Sequence, residues 1–322
     1  MRAMQVRALG APLELHDVAM PKPGAGEVRL RVLACGLNFA DTLVQVGKYQ
    51  EKFDLPVTPG MELCGVVDAL GDGVDSLRVG QRVAANPGHG GLADYAVMPA
   101  SACVPISDTM SDADAAAFLV AYASSHMALD HRAHLQAGER LLVLGASGGV
   151  GLTAVELSKL MGAEVIACAR GADKLEIARK AGADHLIDSD TDDLRDIVLG
   201  LGGADVVYDP IGGDLFTAAM RACNPEARIL PIGFASGTVP QIPANILLVK
   251  NLTVIGFYVG GYKRFAPDVL TRSFAQLIAW YDAGQLRPHV SNVLPLEQAN
   301  AGLDLLRTRQ ATGKVVIEIS AA

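Results

Sequence analysis

The chain is short of aromatic residues (5%, with one tryptophan), and its five cysteines include no CxxC pair. Cys35, Cys64, Cys103, Cys168 and Cys223 are scattered and odd in number. That argues against a disulfide framework and against a cysteine-held structural zinc, and the five read as small buried hydrophobes. No run of about 18 apolar residues occurs, so no transmembrane helix is expected. The opening MRAMQVRALGAPLELHDVAM lacks the long apolar core of a signal peptide. These absences set the expectation of a cytoplasmic protein. Positive charge is also scarce: 27 Lys and Arg against 35 Asp and Glu leave a formal charge of -8, which argues against a general nucleic-acid surface. Glycine, by contrast, is plentiful at 34 residues, and half of the 322 residues are hydrophobic, enough for two domains with a sizeable core.

The first third reads as short β segments broken by turns, in GEVRLRVLACGLN, CGVVDALGDGVDSLRVGQRVAA and GGLADYAVMPASACVPI. Near Ser111 the character changes. SDADAAAFLVAYASSHMALDHRA is alanine-rich and long enough for helices, with Ser111 or Asp112 placed to cap the first. Continuous apolar strands then alternate with amphipathic helices: RLLVLG, VGLTAVELSKLMG, AEVIACA, ADKLEIARKAG, HLIDS, DDLRDIVLGLGG, ADVVYDPIG. That alternation predicts a parallel sheet covered on both faces, a doubly wound α/β domain. NLTVIGFYVGGY reads as a further strand, DVLTRSFAQLIAWYDAG as a helix and KVVIEIS as a final strand. The simplest layout returns this tail to the first domain and leaves the doubly wound unit inserted in the middle.

A strand, then GASGGVG, then a helix is the context of a pyrophosphate loop. The motif runs Ala146, Ser147, Gly148, Gly149, Val150, Gly151, with Ala146 in place of the first motif glycine and Gly145 just before it. Gly148 lets the backbone approach a diphosphate, Gly151 permits close helix–strand packing, and Gly149 and Val150 offer amides at a helix N-terminus. An NAD site usually carries Asp or Glu about 20 residues further on, at the end of the second strand. Here that strand ends in Ala169 and Arg170. Arg170 and Lys174 would attract a 2′-phosphate, so NADPH is the expected cofactor; the alternative is that both are solvated residues of a surface helix.

The order of these domains, with CGLNFADTLVQVGKY, PVTPGMELCGVV, VGQRVAA, GGLADYAVMPA and GASGGVG, resembles the quinone oxidoreductase (zeta-crystallin) branch of the medium-chain dehydrogenase/reductase superfamily over essentially the whole chain. The resemblance implies an α/β fold with a GroES-like, β-rich catalytic domain (residues 1–117 and 256–322) and a Rossmann NADPH-binding domain (residues 118–255). Zinc alcohol dehydrogenases of this superfamily carry Cys where this chain has Asn38 and His where it has Met61. Asn is a poor zinc ligand, the four-cysteine loop is absent, and His131 and His134 in HRAH have no evident third partner, so no metal is expected. Without a Lewis acid, the economical chemistry is hydride delivery to an already electrophilic acceptor, a quinone or conjugated enone.

The resemblance also implies roles for single residues. Asn38 would donate a hydrogen bond to the acceptor oxygen or carboxamide, and Asp41 would orient its loop. Tyr49 would donate a proton or position the acceptor, with a merely packed aromatic as the alternative. Glu62 reads as a structural carboxylate, and Leu43 stands where some relatives have a tyrosine. Tyr122, Ser124 and Ser125 would approach the nicotinamide, Ser189 would lie near the adenosine phosphate, and Gly233, Phe234, Ser236 and Phe257 would line the nicotinamide side. Arg309 and Lys314 would reach the phosphates. A homodimer is expected through the 251–259 strand, whose apolar edge would otherwise be sticky. Two other readings stay open: an enoyl-CoA or 2-alkenal reductase, with Lys48, Lys52, Lys263 and Arg264 available for a CoA moiety, and a non-enzymatic protein that binds NADPH or nucleic acid.

Overall fold

In EVRLRVLACGL every second residue from Val28 to Ala34 is buried, the period-2 signature of a strand with one face on a core. This strand, β3, is the spine of the first of two compact units. A computed structural model describes residues 1–319; Ser320, read from sequence as the end of the last strand, lies outside the described residues. Unit 1 comprises Met1–Val120 and the chain from Arg287 onward, and unit 2 comprises Ala121–Leu286.

The first segment of unit 1 carries β1 (Arg2–Gln5), β2 (Glu14–Asp17), β3 (Glu27–Leu37), β4 (Glu62–Leu70), β5 (Arg82–Ala85), β6 (Tyr95–Pro99) and β7 (Cys103–Pro105). Unit 2 carries β8 (Arg140–Leu144), β9 (Glu164–Ala169), β10 (His185–Asp188), β11 (Ala204–Asp209), β12 (Cys223–Pro231) and β13 (Thr253–Val254). Back in unit 1 come β14 (Val290–Pro295) and β15 (Lys314–Glu318).

The main sheet of unit 1 runs β14-β15-β3-β4-β5-β7, with β6 also paired to β3. Two registers in it matter. β15 lies antiparallel to β3 with Val315 opposite Leu37, and β4 lies antiparallel to β3 with Glu62 opposite Gly36. The start of β15, the start of β4 and the end of β3 therefore meet at one place, although Lys314 and Glu62 are 252 residues apart in sequence.

The sheet of unit 2 runs β10-β9-β8-β11-β12-β13, and every pairing in it is parallel. This is the doubly wound order, with its switch point between β8 and β11. Leu141, Leu142, Val143 and Leu144 of β8 are fully buried, because helices cover both faces and an alternating pattern would bring polar groups into one of them. Leu141 and Val143 belong to one apolar cluster and Leu142 and Leu144 to the other.

Two sequence expectations change here. The 251–259 strand shrinks to Thr253–Val254, with one further hydrogen bond from Ile255 N–H to Ile229 O. The next donor in that parallel register is Pro231, which has no N–H, so the ladder stops. From Val259 the chain is helical. The return to unit 1 comes at Arg287 instead of residue 256, because the Val259–Phe265 and Pro267–Asp282 helices pack within unit 2. There Ser273 Oγ lies 2.8 Å from His126 Nδ1, and the Trp280 ring stands edge-on to His126 at 5.3 Å.

Candidate active site

Asn38 follows β3 in an extended conformation and caps the Phe39–Gln45 helix. Its backbone N–H donates to Asp41 Oδ2 at 2.8 Å, and Asp41 Oδ1 accepts the Gly60 N–H at 2.9 Å. Asp41 thus ties the helix start to the loop before β4. It is fully buried, and burial raises its carboxyl to about 6 against the downward pull of those two hydrogen bonds.

The Asn38 side chain belongs to a buried charge cluster. Lys314 Nζ donates to Leu37 O at 2.9 Å, to Asn38 Oδ1 at 2.8 Å and to Glu62 Oε1 at 2.7 Å. Asn38 Nδ2 donates to the same Glu62 oxygen at 3.0 Å and to Gly36 O at 3.3 Å, while Glu62 Oε2 accepts the Val120 N–H at 2.9 Å. An ammonium only donates and a carboxylate only accepts, so the amide has one possible orientation.

This arrangement corrects two expectations. All three Lys314 protons have acceptors inside unit 1, so Lys314 holds β3 and β4 and has no donor left for a phosphate. Both amide protons of Asn38 are likewise committed, so Asn38 organises the cluster and is not a ready donor to an acceptor oxygen. Tyr49 is half-buried and packs against the unit 1 core. Arg309 sits on the exposed turn before β15 with a φ of 57°.

Unit 2 brings its residues together at the carboxyl ends of its strands. After β8, Gly145 has a φ of 61°, so it makes the tight turn that the missing first motif glycine would make. A Cβ on Gly151 would lie 2.2 Å from Gly145 O, so only glycine lets the following helix start this close to the turn. A Cβ on Gly148 would lie an ordinary 3.4 Å from the same oxygen. The Gly149–Leu160 helix makes its first backbone hydrogen bond from Leu152 N–H to Gly148 O, so the amides of Gly149, Val150 and Gly151 precede the ladder. Ser147 is buried beside them.

Two neighbouring loops converge on this turn. Ile211, after β11, lies against Gly145. Buried Asp209 holds that turn by accepting the Ile211 and Gly212 N–H groups at 2.7 and 2.9 Å, a role no sequence motif announced. The segment with Gly233, Phe234 and Ser236 is pinned to it by Gly233 N–H to Asp209 O and Ser236 N–H to Ile211 O. Phe234 is 42% exposed, whereas Phe257 packs on the Tyr262 ring at 5.9 Å. Past β9, Arg170 is exposed and its Nε lies 3.1 Å from Asp190 Oδ1. Lys174 follows on the Ala172–Lys180 helix, and Ser189 follows β10 with its N–H on Ala169 O.

Three residues expected at the nicotinamide are buried instead. Tyr122 is 2% exposed and its hydroxyl donates to Glu156 Oε2 at 2.5 Å. Ser125 donates to Val150 O at 2.9 Å and lies 2.8 Å from Thr153 Oγ1 and 2.9 Å from the Tyr208 hydroxyl, which braces the glycine-loop helix from behind. Ser124 is 7% exposed. Among the described residues no group of three or more His, Cys, Asp or Glu is placed to hold a metal, and no helix is long and apolar enough to cross a membrane.

Comparison with known proteins matches this division. Residues 24–108 fit the alcohol dehydrogenase GroES-like domain, and residues 149–277 fit the zinc-binding dehydrogenase family. A quinone oxidoreductase-like protein 2 homolog of Nematostella vectensis is 39% identical, over 98% of this chain and 88% of its own. Among solved structures, the quinone oxidoreductase of Thermus thermophilus, determined also as a complex with NADPH, is 33% identical over 99% of this chain and 100% of its own, with a TM-score of 0.88. The Escherichia coli quinone oxidoreductase complexed with NADPH is 25% identical over 99% and 100%, with a TM-score of 0.93.

Proposed function

The chain belongs to the quinone oxidoreductase branch of the medium-chain dehydrogenase/reductase superfamily, and from that premise we propose that it is a zinc-independent, NADPH-dependent reductase of quinones or conjugated enones. The observation that carries the reading is the turn after β8. Gly145 bends it, Gly151 lets the helix start against it, and three helix-start amides lie at the carboxyl ends of β8 and β11. A dinucleotide diphosphate suits those amides, and its 2′-phosphate suits Arg170 and Lys174. When bound, NADPH supplies the hydride.

The chain's own residues supply position and protonation. The Lys314–Glu62–Asn38 cluster and buried Asp41 hold the end of β3 rigid. Tyr49 is the candidate proton source, by the family resemblance. Zinc does not fit here: Asn38 Oδ1 already faces an ammonium, Met61 offers only a buried thioether, and a divalent ion would meet the positive charge of Lys314. The acceptor must therefore be electrophilic without Lewis-acid help. The same reading includes a homodimer. β13 ends the sheet order, and Leu248 and Val249 on the Ala244–Lys250 helix just before it are 76% and 71% exposed, an apolar patch beside that edge that a second copy would cover.

The test is consumption of NADPH and of NADH with a benzoquinone, a naphthoquinone, a 2-alkenal and an enoyl-CoA, together with metal analysis. Turnover of the quinones with NADPH by zinc-free protein is expected, and activity confined to the 2-alkenal moves the assignment to a 2-alkenal reductase. Activity confined to enoyl-CoA moves the assignment to thioesters, no turnover with any acceptor moves it to a binding protein, and stoichiometric zinc overturns the mechanism.

A further inference from the structure

Resting on the NADPH reading, we infer that Asp190 tunes the choice between NADPH and NADH by competing with the 2′-phosphate for the Arg170 guanidinium. Arg170 is the first residue past β9, where a 2′-substituted ribose is recognised in this fold. Its Nε is engaged by Asp190 Oδ1 at 3.1 Å, from the loop after the neighbouring strand β10.

That loop is stitched in place, so the carboxylate is presented and not merely nearby. Ser189 N–H donates to Ala169 O at 3.0 Å. Asp188 Oδ1 accepts the Gly171 N–H at 3.0 Å and the Asp190 N–H at 3.1 Å, and Asp188 N–H donates to Asp192 Oδ2 at 2.8 Å. The Gly171 and Asp190 amides hold the Asp188 carboxyl below its ordinary range, so it remains an anion. The end of β10 and the loop after it thus gather three carboxylates, Asp188, Asp190 and Asp192, beside the turn that carries Arg170.

A 2′-phosphate approaching Arg170 must displace one carboxylate and approach two more. The ion pair is half exposed on both sides, so displacement is easy, but the repulsion persists. NADH meets neither obstacle. Asp190 is therefore a specificity determinant that holds back a preference Arg170 would otherwise make strong.

Titration calorimetry on the full chain with adenosine 2′,5′-bisphosphate and with AMP tests this. Asp190→Asn should tighten the bisphosphate about threefold, on the scale of an exposed charge pair, and leave AMP unchanged. The ratio of kcat/KM for NADPH over NADH should rise by the same factor, and Asp190→Glu should keep the original ratio. In an Arg170→Ala background Asp190→Asn should have a smaller effect on the bisphosphate, because only the direct repulsion is left to relieve. Equal tightening of both nucleotides, no change, or an undiminished effect without Arg170 overturns the inference and leaves the function standing. Failure of the unmodified protein to bind either nucleotide overturns the dinucleotide reading itself.

Discussion

Lys314 and Glu62 form an ion pair sealed inside unit 1, with Nζ 2.7 Å from Oε1 and side chains 6% and 1% exposed. Charges this deep persist only when each is fully partnered, and here Asn38, Leu37 O and the Val120 N–H complete both shells. The pair fixes the one orientation of the Asn38 amide that both charges permit, and so sets the end of β3.

Removing half of that pair strands the other half. Lys314→Met should destabilise unit 1 by about 3–5 kcal/mol, because Glu62 is left as an uncompensated buried charge. Adding Glu62→Gln to the same chain should recover part of the loss. Hydrogen-exchange protection of β3 peptides reads this out directly. A double variant as unprotected as the sum of the two singles would mean the pair is not coupled.

Asp41 gives a pH signature. Its folded-state carboxyl titrates at about 6, above the ordinary aspartate value, so the fold favours the protonated form. The corresponding stability is complete below the unfolded value near 4 and is lost as pH rises through about 6, a change of order 3 kcal/mol at most. Asp41→Asn cannot titrate, and its amide meets one of the two backbone N–H groups with a donor, so it should be less stable than the original at every pH. The gap between the two proteins should narrow as pH rises from 4 to 7. Thermal unfolding across that range checks it, and a gap that widens would contradict the buried-acid picture.

Much of this is legible in the sequence because it is local. The alternation in EVRLRVLACGL and the continuous apolar run LLVL in β8 distinguish the two kinds of strand, and GASGGVG following a strand marks the helix-start turn. The partners of Lys314 are not legible, because they are set by the register of β15 on β3, which no short window contains. The 251–259 strand reads too long because its end is decided by Pro231 on the partner strand. Asp190 carries no motif; only the parallel pairing of β9 and β10 brings it to Arg170.

Tyr49→Phe separates proton delivery from packing. The ring stays against the unit 1 core while the hydroxyl is lost. If the phenol delivers the proton, kcat should fall by about 100-fold, the usual scale of general acid catalysis, with the KM for NADPH unchanged. An unchanged kcat would assign the proton to water and leave Tyr49 a packed aromatic.

Two glycines of the β8 turn should respond differently to alanine, and the difference isolates cofactor approach from fold. At Gly151 a Cβ would sit 2.2 Å from Gly145 O, against backbone that cannot yield, so Gly151→Ala should lower the melting temperature by several degrees as well as abolish nucleotide binding. At Gly148 the added methyl would stand 3.4 Å from the same oxygen, on a backbone with a φ of -81° that any residue adopts. Gly148→Ala should therefore melt with the original protein to within about 0.5 kcal/mol, as substitutions away from packed features do. Its NADPH affinity should nonetheless fall at least tenfold, because the methyl lies where a diphosphate would press on the loop. Calorimetric titration beside thermal melting distinguishes the two. Equal affinity in Gly148→Ala would place the diphosphate elsewhere and remove the main support for the dinucleotide site.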